Sequence, residues 1–480
     1  MSLPAPSHVL LVVPSTALVW FRRDLRVHDH PPLTAALRAH DRVAPVFVFD
    51  DALLQGRFPS PTRAAFLREC LAELDAALRE RGGGLVFRAG APERELPALA
   101  QEAGAAAVYW AGDVSPYARG RDERVAGALR DAGVEPVRTP GLFVADVSQP
   151  RTQSGKPFTV FTPFWKSWEK LERREVHGAP RAIALPGGLR KGRLPAAETL
   201  GAATEVAEPL PAGEAAARSA MHAWLEDGIA RYADQQERFA QGSSMLSPYL
   251  HFGCLSPREL EARVGELRGK GPAAYARQLA WRDFYAHVLL RNPGNARHEF
   301  QERYRDLEWD EDPVLLEAWT EGRTGYPLVD AGMRQLKTIG WMHNRARLVV
   351  GSFLTKDLHL DWRHGEAHFM RYLLDGDEAS NNGNWQWIAS VGVDPAPYFR
   401  RMFNPALQQR RFDPDGSYLR RWVPELAAVP ADRLTEPWTM SAAEQDAAGC
   451  VIGRDYPEPV VDHRRERERA LARYRAAEGA

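Results

Sequence analysis

Asp375-Gly-Asp-Glu-Ala-Ser-Asn-Asn-Gly-Asn-Trp-Gln-Trp387 concentrates carboxylates, amides and two indoles in one short stretch of the chain. Asp and Asn are unfavourable inside helices because their side chains compete for backbone hydrogen bonds, so this cluster indicates a loop or a helix start. Core packing alone would not select such a mixture of side chains. The stretch therefore predicts a binding site at a junction between helices.

The residues around this stretch have helical periodicity. The apolar side chains within residues 362–374 recur on one face of a helix, which should end near Gly376. A second helix is predicted to begin around residues 381–384 and to carry Trp385 and Trp387. Because these two indoles are two positions apart, they should point to different sides of that helix.

Composition restricts the class of protein without identifying it. The chain has 480 residues, 44% hydrophobic and 26% charged, which is enough for two folded domains. Its formal net charge is -1, so any affinity for nucleic acid must come from a local patch.

The cysteines and apolar runs exclude several classes of protein. Cys70, Cys254 and Cys450 are too few and too widely spaced for a disulfide framework, a zinc site or an iron–sulfur cluster. We therefore expect a cytoplasmic protein without a metal. The apolar run at residues 9–13 is too short for a signal peptide or a membrane span, so no membrane association is expected.

The pattern along the chain changes once. In residues 16–140 short apolar runs alternate with segments of helical period, which predicts a doubly wound, Rossmann-like parallel sheet in an α/β domain. Residues 141–215 are rich in Pro, Gly and Ala and are interpreted as an interdomain linker across the surface. Residues 216–475 are predicted to form an all-α domain.

Common nucleotide motifs are missing from this sequence. It contains neither the Gly-x-x-x-x-Gly-Lys phosphate loop nor a Gly-x-Gly-x-x-Gly turn after the first strand. Residues 242–250, Gly-Ser-Ser-Met-Leu-Ser-Pro-Tyr-Leu, instead place hydroxyls and free amides before a helical run. This arrangement is typical of an anion site at a helix start, or of a plain N-cap, which is the commoner use of such serines.

Arginine-containing segments suggest further contacts. In Trp341-Met-His-Asn-Arg-Ala-Arg347, Arg347 could reach a buried carboxylate such as Asp375 or Asp377. Residues 398–403 and 408–412 interleave arginines with aromatics, a composition suited to phosphate contact and base stacking, although arginine-rich loops are more often simply solvated.

Several long motifs in order resemble the DNA photolyase/cryptochrome family, most closely its microbial class I cyclobutane pyrimidine dimer photolyases. They are residues 18–29, Leu-Val-Trp-Phe-Arg-Arg-Asp-Leu-Arg-Val-His-Asp, then residues 325–334, 341–345 and 375–387. The resemblance covers nearly the whole chain. It implies an α/β antenna domain and a helical FAD domain that binds UV-damaged DNA, in a monomer.

The family's FAD-binding positions can be transferred residue by residue. Asn381 would lie beside flavin N5, where a neutral amide suits an anionic reduced flavin better than a carboxylate would. The resemblance implies cofactor contacts for Tyr232, Ser243, Ser244, Leu246, Ser247, Trp281, Arg282, Tyr285, Asn344, Arg345, Arg347, Asp375, Asp377 and Asn381.

The resemblance also implies a light-driven repair reaction. Electrons would reach an oxidised flavin through Trp309, Trp362 and Trp385, whereas Trp281 and Trp387 would sandwich a pyrimidine dimer flipped out of the duplex. For any one of these indoles, a place in the core would be the simpler interpretation. The implied DNA contacts are Gln278, Trp281, Asn344, Trp387, Arg400 and Arg401.

Two departures from the family pattern concern the lesion. Gln278 replaces a glutamate of many microbial dimer photolyases and matches enzymes for (6-4) photoproducts, so a (6-4) photolyase is one alternative. Asn344 and Leu348, however, stand where animal-type (6-4) enzymes place two histidines, which favours cyclobutane dimers. The sequence is also compatible with a cryptochrome photoreceptor and with a DNA-binding flavoprotein that lacks turnover.

The antenna is not identified by the sequence. Ser115 stands where folate-using relatives have a glutamate, which disfavours a folate; a deazaflavin fits at least as well, and an empty antenna site stays open as an alternative.

Overall fold

A computed structural model describes residues 14–240, 242–394 and 397–479 of the chain. The run at residues 9–13 lies outside these described residues. Five parallel strands form one sheet in the order β3-β2-β1-β4-β5, so the strand order reverses beside β1, as in a doubly wound fold. The strands are β1 Thr16–Phe21, β2 Arg42–Phe49, β3 Val86–Ala89, β4 Ala105–Ala111 and β5 Glu135–Thr139.

Helices cover both faces of this sheet, which confirms the predicted α/β architecture. Every residue of β1 is buried, because alternate side chains enter two different cores. Val19 packs in the core that contains Leu74, whereas Trp20 faces the opposite core with Leu96 and Leu129. The helices of this domain are α1 Pro31–Ala39, α2 Asp51–Leu54, α3 Pro61–Arg79, α4 Pro92–Ala103 and α5 Pro116–Asp131.

The described residues beyond β5 form helices and loops, with only isolated β-bridges. None of the described helices is long and apolar enough to span a membrane. Two short π-helical segments interrupt the helical part, at Trp224–Gly228 and Phe353–Asp357. The α-helices are α6 Phe161–Trp168, α7 Glu214–Ala223, α8 Tyr232–Gln235, α9 Ser247–Phe252, α10 Pro257–Glu266, α11 Lys270–Arg291, α12 Pro313–Glu321, α13 Pro327–Ile339, α14 Asn344–Ser352, α15 Trp362–Tyr372, α16 Glu378–Ile388, α17 Pro405–Phe412, α18 Ser417–Trp422, α19 Ala442–Ala448 and α20 His463–Gly479.

Residues 141–215, the predicted linker, contain more than a surface crossing. Helix α6 buries Phe161, Phe164 and Trp168 against α11. A short 3-10 helix, Glu198–Leu200, lies near the end of the stretch. Phe161, Phe164 and Trp168 therefore belong to the core that the two parts of the chain share.

That shared core joins the sheet to the helical half. Phe66 of α3 packs against Phe252 of α9, with ring centroids 4.9 Å apart. Nearby, the Cys70 and Cys254 sulfurs lie 3.5 Å apart as buried free thiols. A second core fills the carboxyl-terminal helices, where Trp319 and Trp362 are fully buried. Because the first core is continuous, the α/β domain fixes one side of the helical half.

Candidate functional site

A cavity of about 460 Å³ opens between α9, α11, α14 and α16 of the helical half. This volume lies within the range of small-molecule and cofactor sites. It collects most of the predicted cofactor residues from positions far apart in sequence, namely Tyr232, Ser243, Ser244, Leu246, Ser247, Trp281, Arg282, Tyr285, Asn344, Arg347, Asp375, Asp377 and Asn381.

The junction before α16 is built by a helix cap. The Asp377 carboxylate accepts a hydrogen bond of 2.9 Å from the Ser380 backbone N–H, so helix α16 begins at Glu378. The predicted start at residues 381–384 is wrong, because the Asp377 carboxylate caps the Ser380 N–H and the helix already includes Asn381. The helix places Asn381 and Trp385 one turn apart, and both line the cavity.

Arg347 and Asp375 form the ion pair that the sequence predicts. The Arg347 Nη2 donates to Asp375 Oδ2 at 2.8 Å. The other oxygen, Asp375 Oδ1, is buried and lacks a hydrogen-bond partner among the described residues. A buried carboxylate oxygen without a partner is costly, so this atom fits a ligand that supplies an N–H or O–H donor, as flavin and ribose groups do.

Arg23 is a site residue that the sequence did not predict. It lies just after β1, and its Nη2 donates to Asp377 Oδ2 at 2.6 Å. Burial raises the pKa of the Asp377 carboxyl, but the positive charges of Arg23 and Arg282 outweigh burial and hold that pKa below its ordinary value. Asp377 is therefore a stable anion at neutral pH, held by the α/β domain.

The serine segment before α9 contributes hydroxyls through side-chain contacts. The Ser244 hydroxyl lies 2.8 Å from the Tyr275 hydroxyl, and Ser247 Oγ accepts a hydrogen bond of 3.1 Å from Trp341 Nε1. Leu246 occupies the N-cap position and makes no side-chain cap. The interpretation of these serines as a plain N-cap is therefore wrong, and they serve as part of the cavity wall.

Asn381 is held in one orientation. Its Nδ2 donates to the Glu366 backbone oxygen at 3.0 Å, and Asn382 Nδ2 donates to Glu366 Oε1 at 2.8 Å. Arg57 of the α/β domain binds the other carboxylate oxygen at 3.1 Å. Glu366, which the sequence did not predict either, thus connects α15 to α16 and fixes the Asn381 amide.

The cavity mouth carries most of the predicted DNA-contacting residues. Gln278, Trp281, Asn344 and Trp387 line the cavity, with Gln278 and Asn344 exposed and both indoles half-buried. Arg400 is exposed on the adjoining 3-10 helix. These side chains can approach a ligand that enters from solvent.

Arg401 differs from its neighbour and corrects a prediction. It is 1% exposed, and its Nη1 donates to the Trp387 backbone oxygen at 3.0 Å. Its guanidinium carbon lies 4.3 Å from the Trp387 ring centroid. Direct contact with a DNA phosphate would require an exposed guanidinium, so the predicted DNA contact is wrong for Arg401, which supports Trp387 instead.

Arg345 is the predicted cofactor residue that does not line the cavity. Its guanidinium forms an ion pair with Glu237 and lies 4.9 Å from the Phe412 ring centroid. Because residues two positions apart lie on nearly opposite sides of a helix, Arg347 can line the cavity while Arg345 points away from it. The cofactor contact of Arg345 therefore stays a prediction that the cavity lining does not support.

The three tryptophans of the predicted electron path differ in burial. Trp385 is 3% exposed and lines the cavity, Trp362 is completely buried, and Trp309 is half-buried. Trp385 packs directly on α15, where a Cβ added at Gly365 would lie 2.1 Å from its ring. Of the three, Trp385 alone lines the cavity and Trp309 alone is partly exposed to solvent.

A second candidate ligand region lies at the carboxyl edge of the sheet. Ser115 caps α5, with its hydroxyl accepting from the Ala118 N–H at 3.2 Å. The Tyr117 hydroxyl donates to the Asp50 carboxylate after β2. Ligands of open parallel sheets bind at this edge, beside the point where the strand order reverses.

Comparison with known proteins agrees with this geometry. Two family models match the chain: "DNA photolyase" over residues 17–182 and "FAD binding domain of DNA photolyase" over residues 275–476. A deoxyribodipyrimidine photo-lyase of Streptomyces griseus is 44% identical over 97% of this chain and 99% of its own length. A cryptochrome DASH of Natronomonas pharaonis is 39% identical over 93% and 98%, respectively.

A solved structure shares the whole architecture. The bacterial class III photolyase from Agrobacterium tumefaciens superposes with a TM-score of 0.91 at 33% sequence identity. The match covers 99% of this chain and 100% of that one.

Proposed function

The chain belongs to the DNA photolyase/cryptochrome family, and on this premise we propose that it is a light-dependent DNA repair enzyme that splits cyclobutane pyrimidine dimers. The observation that carries the proposal is the cavity that brings Trp281, Trp387 and Asn381 together. Two indoles at the mouth suit a flat, stacked lesion, and the amide lies deeper on α16. The cavity thus has one part for a lesion and one for a cofactor.

FAD is the cofactor that the helical domain binds. When bound, fully reduced and excited by light, it supplies an electron that splits the dimer and is then returned, so no net oxidation occurs. Arg347 and the uncharged Asn381 amide would hold this anionic ring without a repelling carboxylate beside N5. Asp375, with its free oxygen, would accept a hydrogen bond from the same cofactor.

Lesion recognition follows from the cost of flipping a base pair. Unpairing and unstacking cost a few kcal/mol and cost least where damage has already weakened them, so a damaged pair enters the cavity more easily than an intact one. Trp281 and Trp387 would then stack on the extruded pyrimidines, while exposed Arg400 would contact a phosphate.

The choice of a cyclobutane dimer rests on the protonation chemistry of the cavity. Asn344 and Leu348, neither of which can transfer a proton, line the wall where a (6-4) enzyme would require an acid. His251 and His343 also line it, but burial lowers the pKa of both, in His343 to about 4. Both imidazoles are therefore neutral at pH 7, which favours a substrate that needs no proton donor.

Three finer features are part of the proposal. A deazaflavin or folate antenna would bind at the carboxyl edge of the sheet near Ser115 and Tyr117. The enzyme would act as a monomer. It would work in the reducing cytoplasm, where the free thiols of Cys70, Cys254 and Cys450 would persist.

The test is repair of an oligonucleotide that carries one defined cyclobutane dimer, under blue light and in darkness, with a matched (6-4) substrate. We expect light-dependent loss of the cyclobutane dimer alone. Activity only on the (6-4) lesion would overturn the proposed assignment of the cyclobutane dimer as substrate. Absence of repair by enzyme with fully reduced FAD would favour a cryptochrome photoreceptor.

A further inference from the structure

Trp281 has an aromatic partner outside the helical domain. Its ring stacks on Phe161 of α6, with centroids 3.7 Å apart and an angle of 7° between the planes. Phe161 is 5% exposed, whereas Trp281 is half-buried and lines the cavity. Phe161 therefore covers one face of the indole, Phe284 and Tyr285 lie beside it at 5.5 and 5.7 Å between centroids, and the part of the ring that remains exposed lines the cavity.

Helix α6 holds Phe161 in a fixed place on α11. Phe164 is fully buried and packs against Phe284, with centroids 5.2 Å apart. Trp168 Nε1 donates to Asp283 Oδ2 at 2.9 Å, and the same carboxylate oxygen accepts from the Ala145 N–H at 3.1 Å. Phe161 is thus attached to a rigid helix and not to a loose linker.

The same segment also reaches the second indole of the cavity mouth. The Thr159 backbone oxygen accepts a hydrogen bond of 3.2 Å from the Asp394 N–H. The Asp394 carboxylate in turn accepts from Trp387 Nε1 at 3.2 Å. Residues 159–161 thus contact Trp281 directly through Phe161, and Thr159 contacts Asp394, which binds Trp387. These residues lie in the stretch between the two domains.

We infer that Phe161 is a positioning residue for lesion binding, which fixes the plane of Trp281 so that the exposed part of its ring is parallel to an incoming pyrimidine. This inference rests on the proposed repair function. Stacking requires parallel planes within a narrow range of tilt, so an indole that can rotate loses part of its affinity for a flat ligand. Phe161 itself touches neither DNA nor FAD in this scheme.

The size of the effect follows from aromatic pairing. A stacked pair contributes about 0.5–1.5 kcal/mol beyond its buried area, which corresponds to about two- to tenfold in an equilibrium constant. Phe161→Leu keeps most of the apolar volume and removes the flat ring, so it should weaken binding of a dimer-containing duplex by about this factor. Phe161→Tyr keeps the ring and should bind like the wild type.

The experiment measures affinity for damaged and undamaged duplexes in darkness by fluorescence anisotropy, using FAD-loaded protein. Phe158→Leu is the matched control, because Phe158 is 8% exposed in the same segment and packs against Phe164 and His287 instead of Trp281. We expect weaker binding of the damaged duplex only in Phe161→Leu. Repair should show a higher KM with an unchanged kcat.

A double-mutant cycle distinguishes positioning from general destabilisation. In a Trp281→Ala background, Phe161→Leu should cause no further loss of affinity, because the indole that it orients is gone. Equal losses in both backgrounds, wild-type affinity in Phe161→Leu, or loss of FAD from that variant would each overturn the inference. Absence of light-driven repair by the wild-type protein would instead overturn the proposed function, since binding is measured in the dark.

Discussion

Trp385 offers a way to separate two light reactions at the level of one residue. Its ring lines the cavity and packs on α15, which begins at Trp362. We predict that Trp385→Phe slows photoreduction of oxidised FAD at least about tenfold, because phenylalanine is much harder to oxidise than tryptophan. Repair by enzyme that has been chemically reduced beforehand should be nearly unchanged.

Absorbance of the flavin under continuous blue light measures the first rate, and a dimer-repair assay measures the second. Trp319→Phe is the control, because Trp319 is another fully buried indole, 6.1 Å from Trp385, that lies outside the proposed path. Unchanged photoreduction in Trp385→Phe would refute the proposed electron path.

Glu378 should make stability depend on pH. Burial, together with the charges of Asp377 and Glu366, raises its pKa to about 7. Because this value exceeds the ordinary pKa of about 4.3, the folded protein binds the proton more tightly than the unfolded chain does. Tighter proton binding by Glu378 therefore stabilises the folded state at acid pH, and this stabilisation is lost as the pH rises from about 4 to 7.

The variant Glu378→Gln removes this titration. We expect it to raise the free energy of unfolding by about 2 kcal/mol at pH 8 and to have little effect at pH 5. Thermal midpoints measured by circular dichroism at both pH values are the readout. An equal shift at pH 5 and pH 8 would show that charge burial is not the cause.

Two close contacts of helix α16 depend on glycine. A Cβ added at Gly365 of α15 would meet the Trp385 ring at 2.1 Å, and one added at Gly383 of α16 would meet the Tyr285 ring at 2.2 Å. Because such distances are shorter than any real contact, α15 and α11 can approach α16 only where glycine is present. Helix α16, with its cavity-lining residues, is held between these contacts.

We predict that Gly365→Ala displaces Trp385 and destabilises the protein by about 1–3 kcal/mol, the usual cost of overpacking. FAD content should fall as well, since Trp385 lines the cavity. Gly265→Ala on α10 is the control, because an added Cβ there meets nothing within 4 Å. That change should stabilise the helix slightly. Thermal unfolding and flavin absorbance measure both outcomes, and equal behaviour of the two variants would contradict the prediction.

The same elements show what sequence can and cannot predict. Helix α15 was predictable because its apolar residues repeat with helical period, and most of the cavity residues followed from long motifs. The start of α16 depends on a cap by Asp377, which periodicity does not report. The burial of Arg401 depends on the Trp387 ring, 4.3 Å from its guanidinium carbon, a tertiary contact that the local sequence pattern does not report.

The α/β domain supports the cavity of the helical half through long-range ion pairs. Arg23 binds Asp377, although 354 positions separate them in sequence, and Arg57 binds Glu366. Pattern analysis cannot find such pairs, because neither residue is unusual in its own segment. Removal of these contacts should therefore weaken cofactor binding in the helical half, although Arg23 and Arg57 belong to the α/β domain.

We predict that Arg23→Ala lowers FAD affinity about tenfold or more, because it leaves the buried Asp377 carboxylate without its closest positive charge. Isothermal titration of the apoprotein with FAD measures the effect. Arg79→Ala is the control, since Arg79 forms an exposed pair with Asp75 within α3, and such surface pairs contribute little. Equal FAD affinity in the two variants would show that the α/β domain does not support the site.

The alkylation rate of the two buried thiols at the domain junction would report how often the two halves separate. Cys70 belongs to α3 and Cys254 follows α9, and both are fully buried, so an alkylating reagent can reach them only when the halves separate. Cys450 is equally buried within the second core and reports unfolding of that core alone. The order in which the three sulfurs are alkylated would therefore show whether the two halves separate before the second core unfolds.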